Sequence, residues 1–223
     1  MANAQSTMTK PLIKICCIAS VAEAQLAVAQ GAAVLGLVSQ MPSGPGVISD
    51  ARIAQIIAAV PPPTETFLLT SRTRAAAIAE QHRHCGSSAL QLVDHVPHEE
   101  LRELRQLCPG VKLVQVIHVL GDVSIEEAMA AAPLVDALLL DSGNPTLAVK
   151  ELGGTGRRHD WATSRRIRDA VWPLPLFLAG GLNAHNVAEA VATVMPYGLD
   201  LCGSVRSKAG LDGNKLQAFF AAF

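Results

Sequence analysis

Two side chains in this sequence, Cys16 and Asp141, are of types suited to moving protons. A thiolate abstracts a proton and a carboxylic acid donates one, provided the surroundings hold each in the needed state near neutral pH. Two glycine turns have the form of anion cradles: Gly180-Gly181 ahead of Leu182-Asn183, and Gly203-Ser204 after Cys202. Paired glycines let a ligand approach main-chain N–H groups, and a helix N-terminus just beyond adds positive partial charge. A third glycine stretch, Gly153-Gly154-Thr155-Gly156, sits in the long segment 143–160. Taken singly, each has a plain structural reading. A cysteine packs as a small hydrophobe, an aspartate caps a turn, and a turn glycine needs no ligand. Chemistry follows only if one fold brings them together.

The elements that would do so are legible as alternation. Short aliphatic runs at 12–16, 34–38, 66–70, 89–92, 112–117, 136–140, 174–179 and 199–202 are separated by helical patterns. Ser20-Val21-Ala22-Glu23 reads as a capping box before a helix that ends at Gly31, and Ser124-Ile125-Glu126-Glu127 repeats the device. Asn183 is expected to cap the segment running to Val194. Pro97-His98-Glu99-Glu100 opens another helix with acidic residues in its first turn. Eight strands, each followed by a helix, argue for parallel pairing with crossover helices. An open doubly wound sheet is the rival, but no run reads as a polar edge strand. The first turn, Cys16-Cys17-Ile18-Ala19, also has no glycine for a dinucleotide loop. The expected fold class is therefore α/β, a single (β/α)8 TIM barrel over residues 11–223 with a loose tail at 1–10. In such a barrel, chemistry collects at the C-terminal ends of the strands, and the loops after strands seven and eight commonly grip phosphate. Those places hold Cys16, Asp141 and both glycine turns.

Composition narrows the partners. Half of the 223 residues are apolar, 4% are aromatic, and the formal net charge is −1. A nucleic-acid or anionic-membrane binder needs a basic field that this chain lacks. Scarce aromatics make a poor stacking platform for single strands. No apolar run reaches membrane-spanning length. Five cysteines without regular spacing read as reduced thiols in a cytoplasmic protein. The segment His82-Arg83-His84-Cys85 offers metal-ligand types, yet no second ligand pair has suitable spacing, so it reads as a solvated helix end. Arg165, Arg166 and Arg168 read as an outer helix face. His118, just after the fifth run, is expected at the barrel mouth.

The ordered strand ends resemble the phosphoribosylanthranilate isomerase family of tryptophan biosynthesis. The pieces that carry the resemblance are Lys14-Ile15-Cys16, Ala137-Leu138-Leu139-Leu140-Asp141-Ser142, Gly153-Gly154-Thr155-Gly156 with Asp160-Trp161, and Leu178-Ala179-Gly180-Gly181-Leu182-Asn183 with Asn186-Val187. They span nearly the whole barrel. The resemblance implies an Amadori rearrangement of an N-linked phosphorylated aminoaldose to an aminoketose. Cys16 would then be the general base and Asp141 the general acid. Gly154, Gly180, Gly181, Gly203 and Ser204 would hold the phosphate, with Lys14 and Gln91 as further binding residues. No metal or organic cofactor is implied, because the protonated imine is itself the electron sink. The implied partner is a small phosphorylated sugar, for a monomer or homodimer.

The sequence departs from the family at the aromatic end. Family members usually carry Lys-Ser-Pro-Arg after the second strand, where this chain has Ser43-Gly44-Pro45-Gly46. The usual Gln-Leu-His-Gly is Gln91-Leu92-Val93-Asp94, a Lys in the fifth strand is Gln115, and the usual Cys-Gly is Cys16-Cys17. Cys202-Gly203-Ser204-Val205-Arg206 stands where Ser-Ser-Gly-Val-Glu is usual. Losing a bidentate clamp on an aromatic carboxylate costs about 1.5–3 kcal/mol. Arg72, Arg157 and Arg206 are the candidate replacements. Two other readings follow from the loss: a relative acting on another phosphorylated sugar amine, and a catalytically silent barrel.

Overall fold

The computed structural model describes residues 10–222. Strands and helices alternate as β1 (Leu12–Ile15), α1 (Val21–Ala29), β2 (Val34–Val38), α2 (Asp50–Ala58), β3 (Glu65–Thr70), α3 (Ala75–Cys85), β4 (Ala89–Leu92) and α4 (His98–Leu107). The second half repeats the order with β5 (Lys112–His118), α5 (Val123–Ala131), β6 (Ala137–Asp141), α6 (Trp161–Val171), β7 (Leu176–Leu178), α7 (Val187–Val194), β8 (Gly198–Leu201) and α8 (Gly213–Phe220). Neighbouring strands pair in parallel in chain order, and β1 closes on β8 through Lys14↔Asp200 and its flanking pairs. The expected eight-stranded barrel is present. Of the expected tail 1–10, residues 1–9 lie outside the described residues.

The strand sequences explain the closure. Side chains alternate between the two faces of a strand. One set, including Ile13, Ile15, Leu35, Leu37, Leu68 and Leu90, packs outward beneath the helices. The other, including Val34, Val38, Phe67, Leu69, Val116 and Phe177, fills the lumen. Both faces are buried, so the runs read as continuously aliphatic and need no polar edge. Fully burying one such side chain contributes roughly 1.5–3 kcal/mol. Lys14 and Asp200 interrupt the lumen set on adjacent strands.

β1, β7 and β8 each end one residue before the expected runs, where the chain peels into the loops that form the mouth, and β7 also starts two residues later. Helix entries are set by short polar side chains. Ser20 accepts from the Glu23 amide, Asp160 from Ala162 and Thr163, and Asp212 from Asn214 and Lys215. Two expected caps differ. The Ser124 hydroxyl donates to the His118 carbonyl and accepts from the Leu120 amide, tying the β5–α5 turn, and α5 has no side-chain cap. Asn183 accepts from the His185 amide within a turn, and α7 begins only at Val187. Among the described residues no helix is long and apolar enough to cross a membrane.

Candidate active site at the barrel mouth

At the C-terminal ends of the strands lies a cavity of ≈ 320 Å³ whose wall includes Cys16, Gln91, Asp141, Gly154, Gly180, Gly181, Gly203 and Ser204. Eight of the nine residues singled out in the sequence thus share one space. Lys14 is the exception. It is fully buried beneath the wall, with its ammonium 2.8 Å from the Asp200 carboxylate. It lies on an inward strand position one step below Cys16, too deep to reach a ligand. Gly36 on β2 makes room for it: a Cβ there would sit 2.9 Å from the Lys14 ammonium and 3.0 Å from the Cys16 sulfur. Both groups therefore pack over one gap in the sheet.

Electrostatics around Cys16 favour the thiolate. The adjacent Cys17 thiol, which itself donates to the Pro45 carbonyl, pulls the Cys16 pKa below the ordinary value, and the Lys14 ammonium adds to this against the opposing effect of burial. Burial alone would neutralise Lys14, but Asp200, and after it Cys16, hold its pKa above the usual amine value. Burial raises the Asp200 carboxyl in spite of Lys14, and the charge of Asp141 pushes the same way. The Cys17 thiol is held strongly protonated by its contacts with Cys16 and Cys202. Its backbone is left-handed, with φ of 62°, and its sulfur lies against Pro45 and Gly46.

Asp141 ends β6. One carboxylate oxygen accepts from the Ser142 amide at 2.7 Å, and the Ser142 hydroxyl pairs with that of Thr155 at 2.7 Å. The other oxygen lies against Gly153, where a Cβ would come within 2.5 Å of it. The glycine stretch 153–156 therefore passes directly over the acid. On the far wall Gly180 and Gly181 are left-handed, and the Asn183 and Asn186 side-chain amides donate to the Gly181 carbonyl. The Ser204 hydroxyl, in the turn Gly203–Val205, is buried without a partner. An unpaired buried hydroxyl on a cavity wall is a donor waiting for an acceptor.

No Lys, Arg or His belongs to this wall among the described residues; its ionisable carboxyls are Asp141 and Asp200. The three arginines considered as replacement clamps are engaged elsewhere. Arg72 donates to the Ala77 carbonyl, Arg157 pairs with Glu151, and Arg206 pairs with Glu23 and the Cys17 carbonyl. Position 46 cannot host a side chain: its φ is +79° and a Cβ would lie 2.6 Å from that of Cys17. Segment 43–46 instead folds across the mouth, with the Ser43 hydroxyl donating to the Lys150 carbonyl and Pro45 resting on Gly154.

Other expectations resolve as follows. His118 ends β5 beside Asp141 but does not line the cavity; one ring nitrogen lies 3.0 Å from the Val93 carbonyl and the ring packs against Gly143. Gln115 ties β5 to the end of β4 by donating to the Leu92 and Asp94 carbonyls, away from the cavity. Arg83 and His84 are exposed as expected, whereas Cys85 is buried under α3. Arg165 and Arg166 pair with Asp169 and Asp122 on the outer surface, and Arg168 stacks on Trp172. Asp200 was missed by sequence reasoning. Its signal was a lone carboxylate at an inward position between Leu199 and Leu201.

Fold and wall together define a (β/α)8 barrel with a thiol, a carboxyl and two glycine turns at one mouth. Comparison with known proteins agrees. The family described as N-(5'-phosphoribosyl)anthranilate (PRA) isomerase matches residues 13–222, and the chain belongs to that family. It is 34% identical over 212 residues to the N-(5'-phosphoribosyl)anthranilate isomerase of Haloferax volcanii, covering 94% of this chain and 91% of the relative. A relative of the same name from Thermosynechococcus vestitus is 32% identical over 200 residues, covering 89% and 83%. The fold also matches the crystal structure of phosphoribosyl anthranilate isomerase from Thermus thermophilus, with TM-score 0.79, 24% identity and coverage of 95% and 97%.

Proposed function

We propose that this chain is an N-(5'-phosphoribosyl)anthranilate isomerase, acting in tryptophan biosynthesis in the cytoplasm. One observation carries the reading: Cys16 and Asp141 open onto the same cavity as the Gly180-Gly181 and Gly203-Ser204 backbones and the unpaired Ser204 hydroxyl. Family membership supports the substrate.

The mechanism follows from placement. Substrate phosphate sits on the N–H groups of Gly154, Gly180, Gly181 and Gly203, with the Ser204 hydroxyl donating to it. This fixes the sugar across the mouth between β1 and β6. Asp141 gives its proton to the ring oxygen as the furanose opens, forming a protonated imine. The Cys16 thiolate then removes the proton from the adjacent sugar carbon, and the iminium accepts the electron pair. Tautomerisation of the resulting enolamine delivers the aminoketose. Positioning and general acid–base catalysis of this kind contribute about 10²–10⁴-fold for each proton carrier. Lys14, beneath the wall, touches no substrate and keeps positive charge behind the thiolate. Segments 43–46 and 153–156 exclude water above the reacting atoms.

A second reading rests on the cation-free wall: the isomerised amine carries no carboxylate. Turnover of phosphoribosylanthranilate beside its carboxylate-free aniline counterpart separates the two. The first reading expects the natural substrate to be preferred. A reversed preference establishes the second, and no rearrangement of either compound contradicts both.

A further inference from the structure

Three of the chain's five cysteines meet at the mouth. Cys16 and Cys17 follow β1, Cys202 follows β8, and these strands are direct neighbours in the barrel. The Cys17 and Cys202 sulfurs lie 2.7 Å apart although the residues are 185 positions apart in sequence. A disulfide needs about 2.05 Å between its sulfurs, so a shift of less than one ångström joins them. All three line the cavity, and Cys202 is the partly exposed one. Cys202 is therefore the most accessible of the three to a small oxidant.

We propose that Cys17 and Cys202 are a redox-modification site: peroxide joins them in a reversible disulfide that switches the catalytic centre off. The Cys202 sulfur attacks one peroxide oxygen, the O–O bond breaks, and the departing hydroxide takes the thiol proton as water. This leaves a sulfenic acid on Cys202. The Cys17 sulfur attacks that sulfur, the S–O bond breaks, and the second hydroxide leaves with the Cys17 proton as water. Two thiols are oxidised by two electrons, and one peroxide is reduced to two waters. Thiol reductants reverse the reaction by exchange.

The consequence for Cys16 follows from the same contacts. In the reduced chain the Cys202 thiol donates to the Cys17 sulfur and the Cys17 thiol donates to the Pro45 carbonyl of the segment that crosses the mouth, while Cys17 beside Cys16 lowers the Cys16 pKa. The disulfide removes both thiol protons, so the Pro45 carbonyl loses its donor and Cys16 loses the neighbouring thiol that most lowers its pKa. The bond also ties the Gly203-Ser204 turn to the end of β1.

Peptide mapping of the full chain treated with hydrogen peroxide tests the bond, and turnover of phosphoribosylanthranilate tests the switch. The expected result is a Cys17–Cys202 linked peptide, an intact mass lower by two hydrogens, and a loss of kcat/KM of at least about tenfold that dithiothreitol restores. The Cys202→Ser variant is expected to yield no linked peptide. A folded chain oxidised at Cys16 or Cys202 without the Cys17–Cys202 link overturns the proposal, as does a linked chain with unchanged turnover. The switch rests on the isomerase reading, whereas the bond is read by mass. A chain that forms the link but never turned the substrate over counts against that reading and leaves the modification site established.

Discussion

Cys16 owes its charge state to two neighbours of different kinds, a hydrogen-bonding thiol beside it and an ammonium behind it. Lys14 can hold its charge in the lumen only because Asp200 faces it at 2.8 Å. Replacing Lys14 with Gln is expected to move the acidic limb of the kcat/KM profile to higher pH, because the thiolate loses the positive charge that stabilises it. Activity lost near neutrality should return as the pH is raised. The same change leaves Asp200 buried without its cation, at a cost on the order of 3–5 kcal/mol in denaturant unfolding. An unmoved acidic limb would remove Lys14 from the account. Asp200 and the thiol cluster were hidden in the sequence for a simple reason. Their meaning comes from register between β1 and β8, which are first and last in the chain and become neighbours only on closure.

At the scale of elements, the strand order and most strand ends were legible because aliphatic runs of four to six residues leave little choice. Loop geometry was not. Asn183 and Ser124 looked like helix caps and instead hold turns, since the same side-chain oxygens serve both uses. Glu23 shows what a capping residue gains from tertiary context. Its carboxylate accepts from the Ala19 and Leu211 amides and pairs with Arg206, joining the β1–α1 loop to the short hairpin of Arg206–Ser207 and Gly210–Leu211. Burial opposes its charge, but the Arg206 hydrogen bond and these amides win and depress its pKa. A depressed carboxylate contributes stability that is present above its unfolded value of about 4.3 and fades as pH falls through the lower folded value. Glu23→Gln should lower stability at pH 7 by about 1.5–3 kcal/mol. It should also flatten the acid side of the stability–pH curve. A curve that keeps its acid slope in the variant would assign that slope to other groups.

For the whole molecule, the barrel separates two tasks. The outward cluster under the helices carries stability, while the mouth holds unpaired donors, left-handed glycines and crowded thiols. Such a mouth gains from a bound anion. Millimolar inorganic phosphate or sulfate should raise Tm, by mass action on the folded state alone. The Ser204→Ala and Gly181→Ala variants should lose the increment, and an increment unchanged in both would place the anion elsewhere. The central claim is that one thiol and one carboxyl act on a single substrate across this mouth. Its most direct test is kcat/KM for N-(5'-phosphoribosyl)anthranilate in the reduced wild-type chain and in the Cys16→Ala and Asp141→Asn variants. The account predicts turnover by the wild type and a fall of at least about 10²-fold in each variant. Wild-type turnover that survives both substitutions within a few-fold would contradict it.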